Sequence, residues 1–202
     1  MKKSNIKAGR ISRTSQWILV LGALSLLITL FVPIWRIDLW APQYPEGLSM
    51  QIWLSKLSGQ VEIINGLNHY IGMAHIKEEM FPEFKILPYC VGFLSLAGLA
   101  AALSGRRKIV VAYLVLLIAG AAIALYDFWK WGYEYGHNLS DDAPIKVPGM
   151  AYQPPLLGYK ELLNFGAYSI PDIGGWIFAA FGTIVVVVLI YEFKFRKHEK
   201  IS

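Results

Sequence analysis

Four long apolar blocks constrain this chain more than any other feature of its sequence. They cover residues 17–35, 87–104, 109–126 and 174–191, and none of them contains Asp, Glu, Lys, Arg or His. About 20 predominantly apolar residues are needed for a helix to cross the hydrocarbon core of a bilayer. The sequence therefore predicts an all-α integral membrane protein with four transmembrane helices, in a single membrane domain that spans residues 1–202.

Basic residues flank alternate ends of these blocks. The first 16 residues contain five Lys or Arg and no acid, Arg106-Arg107-Lys108 separates the second block from the third, and Lys194, Arg196, Lys197 and Lys200 follow the fourth. The positive-inside rule places such segments in the cytoplasm. Both termini are expected to be cytoplasmic, and the net charge of +5 indicates membrane orientation rather than a nucleic-acid partner.

Two long connections remain, residues 36–86 (the first connection) and residues 127–173 (the second connection), and both are expected outside the cytoplasm. Each is tethered to the membrane at both ends, and their aromatic residues argue against disorder. We expect them to fold against each other into one cap. Alternating Leu48, Met50, Ile52 and Leu54 predict a strand, and a turn at Ser58-Gly59 with a return strand at residues 61–64 would complete a short β-hairpin.

Histidine and methionine concentrate in the two connections. Apart from Met1, every methionine lies there, and His198 is the one histidine outside them. Imidazole and thioether groups together form a soft ligand set that suits copper better than calcium or magnesium. If residues 65–75 were helical, His69 and Met73 would share a face, whereas a break at Gly72 would fold His75 back. The alternative is that these residues serve only packing and surface polarity.

Several other functions lack their sequence signals. A self-contained pump or channel usually places ionisable residues inside its spans, and these spans have none. No phosphate-binding loop, HExxH zinc motif, haem-attachment motif or GxSxG nucleophile motif occurs. The chain has one cysteine, which excludes an internal disulfide. The sequence thus predicts a protein that is not an enzyme.

The connections resemble a family of small bacterial membrane proteins. The similar segments are APQYPEGL (41–48), INGLNHYIGM (64–73), EYGHNLSDDAPIKVPGM (134–150), YQPPLLG (152–158) and NFGAYSIPDIGGW (164–176). They are similar to the NosB-type proteins, which accompany nitrous oxide reductase and its copper-maturation genes in denitrification. The resemblance covers most of both connections and little of the spans. It implies a bacterial inner-membrane location and copper as the metal, with candidate ligands His69, Met73, His75, His137 and Met150.

The resemblance also implies a function. We expect a non-enzymatic accessory protein for maturation of, or copper supply to, a periplasmic copper enzyme of the nitrous oxide reductase type. Its partners would be the lipid bilayer, a periplasmic copper protein or copper chaperone, and further membrane subunits. The alternatives are a metal-free docking subunit of a larger membrane complex and, less favoured by the uncharged spans, a transporter component.

Overall fold

A computed structural model describes residues 9–162 and 164–195. The basic residues Lys2, Lys3 and Lys7, those from Arg196 onward, and His198 lie outside the described residues. The elements in chain order are α1 (Arg13–Ser25) with a 3₁₀ helix (Leu26–Phe31), β1 (Trp35–Ala41), β2 (Tyr44–Ile52), β3 (Leu57–Gly59), α2 (Val61–Tyr70), α3 (Leu87–Ser104), α4 (Arg107–His137), β4 (Gly158–Leu162), β5 (Phe165–Pro171) and α5 (Ile173–Ile190). Short 3₁₀ helices follow at Glu78–Met80 and Pro82–Lys85, and Tyr191–Phe195 is a π-helix.

Four helical segments are long and apolar enough to cross a membrane: Arg13–Phe31, Leu87–Ser104, Arg107–His137 and Ile173–Lys194. The first starts four residues earlier than block 17–35 suggested and ends before Trp35, which begins β1. The third helix continues to His137, well past the apolar block 109–126. Amphipathic residues beyond Tyr126 keep a helical pattern, so the end of the apolar block does not mark the end of the helix.

The chain divides into two compact units. One, the helical unit, comprises Met1–Phe31, Tyr89–Ala121 and Ile177–Ser202, and the other, the sheet unit, comprises Val32–Pro88 and Ala122–Trp176. All five strands and α2 belong to the sheet unit. Each connection therefore contributes to the sheet unit, and the apolar parts of α1, α3, α4 and α5 contribute to the helical unit.

Small residues allow the helices of the helical unit to pack closely. A Cβ added to Gly98 of α3 would lie 2.9 Å from Ala23 Cβ of α1 and 2.7 Å from the Tyr113 hydroxyl of α4. The Ser95 hydroxyl donates to Ala23 O at 2.8 Å, and the Tyr113 hydroxyl donates to Leu94 O at 3.0 Å. Small residues allow such close approach, and side-chain hydroxyls link helices where no water competes.

Large apolar side chains face outward from the same helices. Leu96 is 67% exposed, and others are also exposed: Leu21, Phe93, Val115 and Val187. Exposed apolar surface of this extent is unfavourable in water and favourable in lipid. The helical unit thus has the surface of a membrane-embedded bundle.

Three segments meet at one end of the helical unit. The N–H of Arg107 donates to Gly9 O at 3.0 Å, and the N–H of Ile11 donates to Gly105 O at 2.8 Å. The Glu192 carboxylate, beyond α5, accepts from Ser12 N–H at 2.7 Å. The N-terminal segment, the α3–α4 turn and the end of α5 therefore lie together, as the charge pattern predicts.

The sheet unit contains a five-stranded antiparallel sheet in the order β3-β2-β1-β5-β4. Strand β1 of the first connection pairs with β5 of the second, from Trp35 opposite Pro171 to Trp40 opposite Gly166. The Trp35 indole N–H also donates to the Ser169 hydroxyl at 2.7 Å. This pairing joins the two connections in one folded unit, which confirms that they fold against each other.

The all-α prediction is wrong, because the described residues form a mixed fold with a central sheet. In β1, Ile37 is buried between the half-buried Arg36 and Asp38, and Ala41 is buried next to the exposed Trp40, which fits the period-two pattern of a strand. In β5 the inward residues are Ala167 and Ser169, too small and too polar to produce an apolar alternation. Sequence periodicity alone could not reveal this strand.

The predicted hairpin is correct for Leu48, Met50 and Ile52 of its first strand, whereas Leu54 lies past the end of β2. The predicted turn Ser58-Gly59 belongs to β3 instead. Residues 48–52 lie in β2, but the partner on that side is β3, with Met50 opposite Gly59 and Ile52 opposite Leu57. Residues 61–64, predicted as the return strand, begin α2. Ile64 and Asn65 are the buried residues of this helix, and Glu62 near its N-terminus suits the helix dipole.

Candidate functional site

An asparagine fixes the segment that follows α2. Gly72, with φ of +79°, reverses the chain after the helix, a conformation that glycine adopts readily. The buried Asn65 amide donates to Ile76 O at 3.0 Å, and its carbonyl accepts from Ile76 N–H at 2.7 Å. Asn65 thereby satisfies both backbone groups of Ile76 and holds residues 73–76 beside α2.

The hydroxyl of Tyr135 on α4 connects three segments. It accepts from the Asn68 side-chain amide at 2.8 Å and donates to Ala74 O at 2.8 Å. Tyr135 lies nine residues past the apolar block 109–126. His69 directly follows Asn68, and His75 directly follows Ala74. His137 follows Tyr135 by two residues.

Backbone bonds bring the second connection to the same place. Ser140 N–H donates to Gly72 O at 2.8 Å, and Ile145 N–H donates to Tyr70 O at 2.9 Å. Tyr152 N–H donates to Gly136 O at 2.9 Å. The segments that carry the three predicted histidine ligands are therefore held in one part of the sheet unit.

The three histidines are exposed side chains. His69 lies in the last turn of α2, with its ring 6.3 Å from that of Tyr70, and His75 follows Ala74 in the extended segment. His137, at the end of α4, stacks on Tyr133 with ring centroids 3.9 Å apart. Its Nδ1 lies 2.8 Å from Tyr133 O. A carbonyl oxygen only accepts, so Nδ1 carries the proton and Nε2 is left with its lone pair.

The two predicted methionine ligands lie in different environments. Met73 is 8% exposed and belongs to the core cluster, whereas Met150 is 37% exposed in the loop after α4. Because α2 ends at Tyr70, His69 and Met73 do not share a helical face. The helix ends before Gly72, where the chain reverses. This is the second of the two arrangements predicted above, in which His75 folds back.

Among the described residues, no group of three or more His, Cys, Asp or Glu side chains has the spacing of a metal site. The hydrogen bonds of Tyr135, Tyr70 and Gly72 nevertheless hold the segments that carry His69, His75 and His137 in one region of the sheet unit.

No family model, curated protein or solved structure matches the chain. The resemblance to the NosB-type proteins therefore rests on the segments quoted above.

An aromatic ladder runs along the exposed face of α4 beyond the apolar block. Tyr126 stacks on Trp129, Trp129 on Tyr133, and Tyr133 on His137, with centroid separations of 6.0, 5.6 and 3.9 Å. The spacing of three or four residues keeps these rings on one side of the helix. We call these four residues the aromatic ladder.

The other face of α4 contributes to a cavity in the core of the sheet unit. The cavity has a volume of about 60 Å³ and contains Met50, Met73, Tyr135 and Tyr152 in its lining. Trp131 and Tyr135, also in the lining, stack with centroids 4.7 Å apart.

Sequence reasoning missed Asn65, Tyr135 and Tyr152, the polar residues on which this region depends. Asn65 had a signal, because an amide on the apolar side of an amphipathic helix must find buried partners. Tyr135 and Tyr152 had no such signal in the sequence. The Tyr135 hydroxyl bonds to Asn68 and Ala74, and the Tyr152 backbone N–H bonds to Gly136, all of them distant in the sequence.

Proposed function

We propose that this chain is a non-enzymatic accessory protein of the bacterial inner membrane. Its cargo is copper, and its client is a periplasmic copper enzyme of the nitrous oxide reductase type. In this proposal the basic segments before α1, at Arg106-Arg107-Lys108 and after α5 face the cytoplasm, and both connections face the periplasm. The proposal draws on the resemblance of both connections and on four helices suited to a membrane.

The geometry of His137 carries the copper assignment. A metal-binding histidine usually donates its second ring N–H to a carbonyl or carboxylate, which fixes the tautomer and the ring orientation. Tyr133 O takes that role at 2.8 Å from Nδ1 of His137. Nε2 is therefore available for a metal, and the stacked Tyr133 ring at 3.9 Å holds the imidazole in place.

His69 and His75 would supply further nitrogen ligands from the first connection. Their neighbours Asn68 and Ala74 are both bonded to Tyr135 on the buried face of α4. His137 lies on the exposed face of that helix, so a shared copper ion would lie at the exposed end of α4. Met150, half-exposed in the second connection, is the thioether able to join them at the surface, whereas Met73 would have to leave the core. Exposed ligands suit a protein that passes its copper to another.

Copper binding by the purified full chain tests this function. Copper(I) would be titrated against a competing chelator in detergent under reducing conditions, for the wild type and for His69→Ala, His75→Ala and His137→Ala. Each variant should lose at least tenfold in affinity, because exposed sites depend on every ligand. Copper and protons compete for the same nitrogen atoms, so acidification should weaken binding.

The matched control is His198→Ala, which changes a histidine outside both connections. Full affinity in all three variants, or none in the wild type, would overturn the proposal.

A docking subunit without metal is the second candidate function, and the aromatic ladder favours it. Aromatic side chains are enriched in the energetically dominant parts of protein interfaces. Exchange of Tyr126 and Trp129 for Ala, two ladder residues that do not contact His137, should then abolish co-purification of a membrane partner without a change in copper affinity. If the histidine variants instead lose both copper and client maturation, the docking function alone is insufficient.

A further inference from the structure

The lining of the sheet-unit cavity combines buried and half-buried side chains. The buried ones are Ile37, Met50, Ile64, Ile71, Met73, Ile76, Tyr135, Tyr152 and Leu162. The half-buried ones are Leu39, Leu67, Asn68, Trp131, Pro154 and Phe165. Because part of the lining is in contact with solvent, a small molecule could enter between the half-buried side chains without unfolding the sheet.

The lining is uncharged and almost entirely apolar. The described lining residues include no Asp, Glu, Lys, Arg or His. Three of its side chains carry an amide or hydroxyl group, and Trp131 adds an indole N–H. Of those three, Asn68 and Tyr135 already bond to each other, and the Tyr135 hydroxyl donates to Ala74 O. A ligand of this cavity must accordingly be neutral, because nothing in the lining would compensate a buried charge.

The third side chain with an amide or hydroxyl group is Tyr152. It is 1% exposed, and its hydroxyl has no hydrogen-bond partner among the described residues. A buried hydroxyl without a partner loses its bonds to water and gains nothing in exchange. Such groups are rare in native proteins and each one needs an explanation.

Water alone does not provide that explanation. A buried water typically makes about three hydrogen bonds, and apolar cavities that cannot provide them stay dry. Here the Tyr152 hydroxyl is the one fully buried side-chain polar atom of the described lining that lacks a hydrogen-bond partner. An apolar molecule with a single acceptor atom matches this lining better, since its body contacts the apolar walls and its acceptor takes the Tyr152 proton.

We propose that this cavity binds a small neutral ligand with an apolar body and one hydrogen-bond acceptor, such as an ether or carbonyl oxygen, bonded to the Tyr152 hydroxyl. The size follows from the volume. One water-sized position needs roughly 10–15 Å³, so about 60 Å³ accommodates on the order of four to six non-hydrogen atoms. The inference does not depend on the proposed copper function.

A matched pair of probes tests the ligand class. Tetrahydrofuran and cyclopentane have the same ring size, and tetrahydrofuran alone carries an acceptor. The full chain in detergent would be labelled with ¹³C at its methionine methyl groups. Met50 and Met73 line the cavity, whereas Met80 and Met150 are exposed and lie outside its lining. Free probe concentration would be fixed through the vapour phase, because both probes partition into detergent.

Tetrahydrofuran should shift the Met50 and Met73 signals saturably and leave those of Met80 and Met150 in place. Tyr152→Phe should weaken tetrahydrofuran binding about tenfold, the effect of one hydrogen bond, and leave cyclopentane binding unchanged. Tyr159→Phe, at an exposed tyrosine of β4, should change neither.

Three outcomes would overturn the inference. The first is the absence of a saturable shift at Met50 and Met73, and the second is an equal shift at all four methionines, which indicates partition into detergent. The third is an unchanged tetrahydrofuran affinity in Tyr152→Phe. Since none of these measurements involves copper, failure here leaves the copper titration to be judged by itself.

Discussion

The fully buried carboxylate of Glu192 accepts a hydrogen bond of 2.7 Å from the backbone N–H of Ser12, 180 residues earlier in the chain. The same oxygen accepts from the Ser15 hydroxyl at 2.7 Å, and Arg107 Nη2 lies 3.5 Å from the other oxygen. Ser12 is the N-cap of α1. The Glu192 carboxylate therefore lies at the N-terminus of this helix, where the helix dipole favours a negative charge. Glu192 thus ties α1, α4 and the end of α5 together.

Glu192→Gln should destabilise the protein by about 2–3 kcal/mol, because the partly buried Arg107 loses its counterion and the amide accepts less strongly than a carboxylate. Thermal unfolding in detergent measures the effect. The control is Glu134→Gln, which alters an exposed ion pair with Lys130 at 3.8 Å and should cost less than about 0.5 kcal/mol. Equal effects in the two variants would show that Glu192 does not hold the helices together.

Gly136→Ala should detach residues 152–153 from α4. A Cβ at this position would overlap the backbone of Gln153, and overpacking against backbone costs about 1–3 kcal/mol. Gly132→Ala, one turn earlier, is the matched control, because its Cβ would meet nothing nearer than Pro154 Cγ at 3.9 Å. That control should be neutral or stabilise α4 by up to about 1 kcal/mol. Similar melting temperatures for Gly136→Ala and Gly132→Ala would contradict the close contact between Gly136 and Gln153.

Asn65→Ala should cost about 2–4 kcal/mol, since it leaves the N–H and C=O of Ile76 buried without partners. Chemical unfolding of the full chain would give the value. Hydrogen exchange should in addition show loss of protection at Ile76. Asn138→Ala, at an exposed asparagine, serves as the comparison and should leave both quantities nearly unchanged.

The orientation of the spans is open to direct measurement. Reporter fusions after Gly59 and after Asp142 lie in the first and second connections, and both should report the outer side of the membrane, because basic residues flank the opposite span ends. A fusion at the α3–α4 turn, after Gly105, should report the cytoplasm. A cytoplasmic signal from either connection would remove the basis for a periplasmic client.

The helical elements were the more predictable part of this fold. Apolar length alone located four spans, because lipid requires every backbone group of a span to bond within its own helix. Strands carry a weaker signal, since their partners lie elsewhere in the chain. β5 shows this well: Ala167 and Ser169 face inward because they sit beside β1, and nothing near them in sequence reveals that neighbour.

The candidate site was likewise predictable only in part. The accumulation of His69, His75 and His137 in two connections was visible in the sequence, and a break of the helix at Gly72 was one of its two alternatives. Their relative arrangement was not, because it depends on Tyr135 bonding to Asn68 and Ala74, 67 and 61 residues away. Composition suggested which atoms could bind a metal, and only tertiary contacts show which of them are neighbours.

The sheet order has a consequence for biosynthesis. β1 pairs with β2 on one side and with β5 on the other, yet β5 is made more than 120 residues after β1 leaves the ribosome. At about 5–20 residues per second, the hairpin of β1 and β2 waits on the order of 10 s with one edge unpaired. An unpaired strand edge can pair with other chains. Until β5 is made, the open edge of β1 is the place in the nascent chain most exposed to pairing with another strand.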